Sequence, residues 1–351
     1  MNLVLGAALA WLSAAATVTS TWTEESLDRY IQRKLRFNPA TLRINQKGLG
    51  DSGAALLARS PRLEGVRKLV LNDNEIGDPG LEALSKSPHL QALEHLSLET
   101  NRISDTGLEA LLESSLIAKL KTLSLYRNRI TDRGAVLLAR SRKAGALTRL
   151  NLSFNQIGDA GAEALAQSSS LDRLESLELT GNPLGPAGKT AWAKFRFRKQ
   201  FHALHRQGAL SHLESRYIGD LGLEALLETG LLGELRELNL SDNNLTDAGM
   251  ARLAASSQLE NLRVLDLSHN RIGDEGARAL ARSPHTRNLR ELILDDNFIG
   301  DQGARFLAEG NYWARLERLN LEENPIGPPG ARALKQSAAL GNLRYPIFGF
   351  H

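Results

Sequence analysis

The chain of 351 residues contains no cysteine, only two methionines and only 5% aromatic residues. The absence of cysteine excludes disulfide bonds, thiolate metal sites and cysteine nucleophiles. It leaves the compartment open, because a chain without thiols can fold in an oxidising or a reducing setting. An excess of one charge is also missing, since 43 lysines and arginines oppose 40 aspartates and glutamates, for a net charge of +3. This balance argues against a general nucleic-acid binder, whose basic residues usually cover a face.

Long apolar runs are limited to one, Leu3–Val18. One interpretation of residues 1–22 is a secretory signal peptide, with the small residues Ala14, Ala15 and Ala16 near a cleavage site. The alternative is an N-terminal helix packed on the rest of the fold, which the lack of Lys or Arg before the run favours. We therefore expect a cytoplasmic protein, or a secreted or periplasmic one if the segment is a signal peptide.

A repeat with a period of 27 residues dominates the rest of the sequence. Its marker asparagines are Asn74, Asn101, Asn128, Asn155 and Asn182, followed by Asn243, Asn270, Asn297 and Asn324. Two further copies keep the frame but carry Lys47 and Arg216 at this position, which gives eleven repeats.

The segment Leu262–Leu280 shows what one copy predicts. Leu265 and Leu267 flank a polar residue, and this alternation indicates a short strand with one buried face. Asn270 follows where the chain must turn. Its amide can donate and accept, so the asparagines of stacked copies are predicted to form a ladder on main-chain groups. Asp274 stands at the predicted helix start, where its carboxylate would cap that helix. Gly276 predicts a close approach of neighbouring backbones.

One copy cannot bury its own leucines, whereas stacked copies can. The predicted fold is therefore an α/β solenoid with parallel strands on one side and helices on the other. Because strands stack at about 4.8 Å and helices at about 10 Å, the solenoid is expected to curve with the sheet on its concave face.

The motif L-x-x-L-x-L-x-x-N-x-I-G-D-x-G-x-x-x-L resembles leucine-rich repeats of the ribonuclease-inhibitor type over residues 41–348. The resemblance implies a curved horseshoe that binds protein partners. The segment Ser87–Leu90 is similar to a helix ending common in bacterial repeats. Related proteins include ribonuclease inhibitors, which are rich in cysteine, and activators of the Ran GTPase, which carry an acidic tail. This sequence shows neither feature, so neither activity is transferred.

The predicted domain boundaries follow the repeat. After the apolar segment 1–22 we expect a capping helix at 23–40, a first sub-array at 41–188 and a second at 216–351 that ends in a cap. Residues 189–215 interrupt the period by seven residues, about two helical turns, and predict an extended basic-aromatic helix followed by a degenerate repeat. Its cations are expected to point to water while its aromatic residues fill the core. Binding of nucleic acid or a membrane by this helix is the less favoured alternative.

The candidate binding site is the exposed face of the strands. In the C-terminal half its positions are acidic: Glu237, Asp242, Asp266, Glu291, Asp295, Asp296, Glu322 and Glu323. In the N-terminal half they are basic or aromatic and include Tyr126, Arg127, Arg149 and Phe154. Acidic residues would attract a basic protein, and aromatic residues would anchor a partner. The other interpretation is a solvated face whose charges keep the solenoid soluble.

No motif of a serine hydrolase, P-loop or zinc protease is present, so we expect no catalytic residue and no cofactor. His202 and His205 could share one helix face, but no third ligand has a defined spacing, and we expect no metal. The predicted function is a non-enzymatic scaffold that binds a protein ligand, with basic character favoured, on the concave surface. A monomer is favoured, and nucleic acid and membranes are not expected as partners. The alternative function is regulation of a small GTPase, as in the Ran activators.

Overall fold

The structure is a computed structural model that describes residues 22–347, and it divides into two compact units, Met1–Trp192 and Ala193–His351. The apolar segment predicted at 1–22 lies outside the described residues except for Trp22. The end of the predicted C-terminal cap, from residue 348 onward, lies outside them as well.

The first unit begins with a helix of 12 residues and then alternates short strands with helices of eight or nine residues. Its strands are β1 (Thr41–Arg43), β2 (Lys68–Val70), β3 (His95–Ser97), β4 (Thr122–Ser124), β5 (Arg149–Asn151) and β6 (Ser176–Glu178). Its helices are α1 (Glu24–Leu35), α2 (Gly50–Ala58), α3 (Asp78–Ser85), α4 (Asp105–Glu113), α5 (Asp132–Arg140) and α6 (Asp159–Ala166). The six strands form one parallel sheet in sequence order.

Helix α7 (Pro186–Arg206) begins in the first unit and ends in the second. The remaining strands are β7 (Glu237–Asn239), β8 (Val264–Asp266), β9 (Glu291–Ile293), β10 (Arg318–Asn320) and β11 (Tyr345–Ile347). The remaining helices are α8 (Gly219–Glu228), α9 (Asp247–Ala254), α10 (Asp274–Arg282), α11 (Asp301–Ala308) and α12 (Pro328–Lys335). These five strands form a second parallel sheet in sequence order.

The break between the two sheets falls in the seventh repeat. Where a strand would stand, the described chain has a single parallel bridge between His212 and Asn239. The sequence Ser211–Leu213 lacks the L-x-L pattern of the other repeats, so a strand there would bury one apolar side chain instead of two.

The core of each unit lies between its sheet and its helices. In the repeat of β8 the side chains of Leu265, Leu267, Ile272 and Leu280 are all completely buried. Full burial of one such side chain stabilises the fold by about 1.5–3 kcal/mol. Because the strands β7 to β10 contribute equivalent leucines at the same register, the buried row continues from strand to strand in the second unit.

Helix α1 covers the open end of the first unit. The Thr23 and Ser26 side chains each accept a hydrogen bond from the other's main-chain N–H, a capping box at the helix start. Leu27 and Ile31 are buried where α1 packs on β1 and α2. The exposed helix face is held by an ion pair of 2.5 Å between Asp28 and Arg62.

Helix α7 differs from its sequence-based description in one respect. Phe195 and Phe201 are buried, but Lys194 does not point to water. Its Nζ lies 2.8 Å from Glu224 and 2.7 Å from Glu228 on α8, and its side chain is only 15% exposed. Burial lowers the pKa of Lys194, whereas the hydrogen bonds to the two glutamates raise it and prevail. The sequence could not show that this cation would have acidic partners on the next helix.

Candidate functional site

An asparagine organises the turn after each of the strands β2 to β10, and it is buried in most of these repeats. The Asn270 Nδ2 donates to the carbonyls of Leu240, Leu267 and Ser268 at 2.9–3.0 Å. Its Oδ1 accepts from the main-chain N–H groups of Asn243 and Leu245 at 3.1 and 2.9 Å. Each Asn side chain therefore satisfies main-chain groups of its own turn and of the preceding repeat. Donation to the carbonyl 30 residues earlier recurs at Asn74, Asn101, Asn128, Asn155, Asn182, Asn243, Asn297 and Asn324.

The aspartate at the helix start serves the following repeat, which corrects the prediction that it caps its own helix. Asp274 is the first residue of α10, and its Oδ1 accepts from the N–H groups of Gly300 and Gly303 at 2.7 and 2.9 Å. Those amides begin α11, where the helix dipole favours a negative charge. The same contact to the next repeat is made by Asp51, Asp78, Asp105, Asp132, Asp159, Asp220, Asp247 and Asp301.

The residue just before each ladder asparagine adopts a left-handed backbone. Examples are Asp242 at φ 52°, Asp296 at φ 48° and Glu323 at φ 55°. These three acids were predicted on the strands. They stand instead in a row along the turns, at the carboxyl edge of the sheet, because each strand ends before the chain reaches them. Arg127 and Phe154 belong to the equivalent row of the first unit, at φ 53° and 57°.

The strand face of the second unit, defined as Glu237, Asp266, Glu291, Asp295 and Glu322, is rich in carboxylates. Parallel pairing sets β7, β8, β9 and β10 side by side and brings these acids onto adjacent strands and strand ends. Arg318 lies opposite Glu291 in the register and pairs with it at 2.8 Å.

Asp295 lies at the centre of this strand face. Burial raises the pKa of its carboxyl, and the nearby carboxylates of Asp266 and Glu322 raise it further, against the lowering effects of a main-chain hydrogen bond and of His269. The Asn320 Nδ2 donates to its Oδ1 at 3.1 Å. Asp266 and Glu322 thus place negative charge beside Asp295, and a cation would be attracted there.

His269 is a site residue that sequence reasoning missed. It occupies the left-handed row between Asp242 and Asp296, and its Nδ1 lies 2.7 Å from Asp296 Oδ2. The hydrogen bond to Asp296 raises the pKa of His269, as do the charges of Asp296, Asp295 and Asp242, while burial opposes them. His269 lies one period of 27 residues from both Asp242 and Asp296, and this spacing is the sequence signal that places it in the same row.

The raised pKa of His269 predicts a pH-dependent stability. Its contribution is complete below the unfolded-state pKa and is lost as pH rises through the higher folded-state pKa. We expect His269→Gln to lower the free energy of unfolding by less than about 1 kcal/mol near pH 5, because the side chain is half exposed, and by less near pH 9. Urea denaturation at both pH values measures the difference. Asp296→Asn should reduce the pH dependence, and an equal cost of His269→Gln at both values would refute the assignment.

An aromatic cluster with one arginine marks the same edge of the first unit. The rings of Tyr126 and Phe154 meet edge to face with centroids 5.2 Å apart, and the Arg127 guanidinium carbon lies 5.7 Å from the Phe154 centroid. Phe154 is 44% exposed. Its ring covers Gly181, where φ is +76° and an added Cβ would lie 2.7 Å from the ring. Exposed aromatic and arginine side chains of this kind are enriched among residues that dominate binding energy.

The histidines of α7 do not form a metal centre with other side chains of residues 22–347, where no three His, Cys, Asp or Glu residues converge on a common point. Burial and the neighbouring cations Lys199, Arg206, His205 and Arg198 lower the pKa of His202. Within the same described range, no helix has the length and apolarity needed to cross a bilayer.

Strand, turn and helix, stacked in parallel and joined by buried asparagines, define an α/β repeat solenoid. The family model described as "Leucine Rich repeat" matches residues 66–85, 89–112, 118–139, 147–166, 235–254, 258–281, 285–308 and 316–335. The chain is a leucine-rich-repeat protein, and the predicted α/β repeat fold is confirmed.

The chain is also similar to chains of known structure, of which an internalin is an example. An internalin from Listeria monocytogenes is 18% identical, with an alignment that covers 96% of this chain and 92% of that chain at a TM-score of 0.25. No curated protein matches the chain.

Proposed function

We propose that the protein is a non-enzymatic interaction scaffold and that the strand face of its second unit binds a cationic segment of a protein partner. Leucine-rich-repeat proteins generally act as scaffolds for protein interactions, and this one belongs to that family. The observation that carries the proposal is the run of carboxylates on neighbouring strands.

The charge of this surface is mostly uncompensated. Arg318 pairs with Glu291, and His269 contacts Asp296, but Glu237, Asp266 and Glu322 form no ion pair within the described residues. The row formed by Asp242, Asp296 and Glu323 adds negative charge along one edge. Such a surface speeds the encounter with a cationic partner and disfavours an anionic one.

Charge reversal at the centre of the strand face tests the proposal. We expect Asp295→Lys/Glu322→Lys to weaken binding of fluorescein-labelled deca-lysine by about tenfold or more, measured by fluorescence anisotropy at fixed salt. The neutral pair Asp295→Asn/Glu322→Gln should give a smaller loss. The control Glu234→Lys/Glu309→Lys makes the same change of net charge on exposed residues elsewhere in the unit.

Equal losses in the control and in the strand-face variants would show that only net charge matters and would reject the site. Circular dichroism of each variant establishes that the fold is retained. Regulation of a small GTPase stays a prediction from the resemblance, and GTP turnover by a panel of small GTPases with and without the protein would test it.

The finer classification is also a proposal. We infer repeats of the ribonuclease-inhibitor type, because each of the strands β1 to β10 is followed by an α-helix. We likewise propose sub-array boundaries at 41–188 and 216–351, supported by the two separate sheets and by the single bridge at His212 between them.

A further inference from the structure

The strand face of the first unit contains a shallow depression of about 400 Å³ that the proposed function does not use. Four side chains with basic groups, Arg43, Lys68, His95 and Arg149, line it. We refer to it as the basic depression. Its charge is opposite to that of the strand face of the second unit.

Sheet register fixes the spacing of these basic groups. Lys68, His95, Thr122 and Arg149 occupy equivalent positions on four consecutive parallel strands, β2 to β5. Strands lie about 4.8 Å apart, so the main chains at Lys68 and Arg149 are about 14 Å apart. Arg43 stands on β1, next to β2 and two positions further along the strand direction. The cations thus span a row long enough for an extended segment of several residues.

The cations of the basic depression are available to a ligand. Within residues 22–347, neither Arg43 nor Lys68 forms an ion pair, and the Arg149 guanidinium makes one hydrogen bond, of 3.3 Å, to the Thr122 hydroxyl. Burial lowers the pKa of His95, and the charges of Lys68, Arg149 and Lys121 lower it further against the opposing effect of Glu94. Burial is the largest cause of this lowering, and the lining cations Lys68 and Arg149 add to it.

One acid lies in the basic depression and is already held by neutral groups. The Glu99 carboxylate accepts hydrogen bonds from Asn72 Nδ2 at 3.1 Å and from Ser124 Oγ at 2.8 Å. Asn72 in turn accepts from Ser97 Oγ at 2.8 Å. Within the described residues Glu99 forms no ion pair with Arg43, Lys68 or Arg149, and its negative charge opposes a ligand that is anionic along its whole length.

We infer that the basic depression binds an extended acidic segment of a protein partner, whose carboxylate side chains pair with Lys68, Arg149 and Arg43. Glu99 and the neighbouring hydroxyls suit the amide groups between those carboxylates. A nucleic-acid strand fits less well, because its phosphates would meet Glu99 and because no Phe, Tyr or Trp lines the depression to stack on its bases. The scaffold would then recognise acidic and basic segments at separate surfaces.

Fluorescence anisotropy tests the inference on the full chain, with a fluorescein-labelled decapeptide in which glutamate and serine alternate. We expect the wild type to bind and Lys68→Glu/Arg149→Glu to bind at least about tenfold more weakly. Lys68→Gln/Arg149→Gln should bind with intermediate affinity. The matched control, Arg129→Glu/Arg142→Glu, changes the same net charge on exposed residues of the same unit outside the depression and should retain affinity close to that of the wild type.

Three results would overturn the inference: no binding of the alternating glutamate-serine decapeptide by the wild type, an equal loss in the control variant, or tighter binding of a single-stranded oligonucleotide of equal charge. Circular dichroism establishes that each variant folds. If Lys68→Glu/Arg149→Glu is unfolded, the affinity of Lys68→Gln/Arg149→Gln still tests the inference. The variant Lys68→Glu/Arg149→Glu should bind deca-lysine no more weakly than the wild type does. A failure of the acidic-peptide assay is therefore distinct from a failure of the proposed function.

Discussion

Replacement of Asn270 by alanine is expected to lower the free energy of unfolding by about 3–5 kcal/mol, the largest effect foreseen for any exchange considered above. The substitution removes the partner of the Leu240 carbonyl and of the Asn243 and Leu245 amides. Each buried polar group left without a hydrogen bond costs about 1–3 kcal/mol. Urea denaturation followed by circular dichroism measures the loss.

Two variants separate the ladder from a general effect of removing an asparagine. Asn270→Asp keeps an acceptor for the Asn243 and Leu245 amides but loses the donors, so most of the destabilisation should remain. Asn261→Ala removes one exposed bond, to the Gly233 carbonyl, and should cost less than about 1 kcal/mol. Hydrogen exchange at the amides of Asn243 and Leu245 should accelerate in Asn270→Ala. If the two alanine variants are equally stable, the ladder is not what stabilises the turn.

The second large effect is expected for Gly303→Ala. In a helix interior this exchange normally stabilises by about 1 kcal/mol. Here the new Cβ would lie 2.6 Å from Asp274 Oδ1, 2.7 Å from the Ile299 side chain and 3.1 Å from the Asp274 Cα. We expect a loss of about 2–3 kcal/mol, because either the carboxylate or the stacked repeats must move. Thermal and urea denaturation measure it.

Gly233→Ala is the matched control, since nothing lies within 4 Å of its added Cβ. It should be neutral or mildly stabilising. A double-mutant cycle with Asp274→Ala isolates the clash with the carboxylate. In the Asp274→Ala background, Gly303→Ala should destabilise the fold less, because only the contacts with Ile299 and with the main chain of residue 274 remain. Additive effects of the two substitutions would contradict the close approach of the carboxylate.

The sequence predicted most of the fold because the information is repeated. The 27-residue period identifies equivalent positions, and alternation around residues such as Leu265 assigns the buried face of each strand. A capping helix is predicted at 23–40, and α1 buries Leu27 and Ile31 within that range. Each of these features follows from local pattern and from the need to bury apolar surface.

What the sequence could not supply is the direction of contacts between repeats. Asp274, like its equivalents, stands at the start of its own helix, so the pattern alone suggests a local cap. In the structure its carboxylate instead accepts hydrogen bonds from Gly300 and Gly303 in the next repeat. The left-handed turn likewise carries Asp242 and Asp296 out of the strand face, because the alternation stops at the residue with a positive φ. Ion pairs such as that between Lys194 and Glu224 depend on how the helices pack and do not recur with the 27-residue period.

The asparagine and aspartate of one repeat reach in opposite directions. Asn270 serves the main chain of the preceding copy, and Asp274 serves that of the following copy. Removal of one whole repeat from the interior of a unit would therefore give each side chain an equivalent new partner, and the hydrogen bonds across the junction would form again. A cut that ended inside the strand, the turn or the helix start would leave such groups without partners, so this part of a repeat can be removed only together with its whole module.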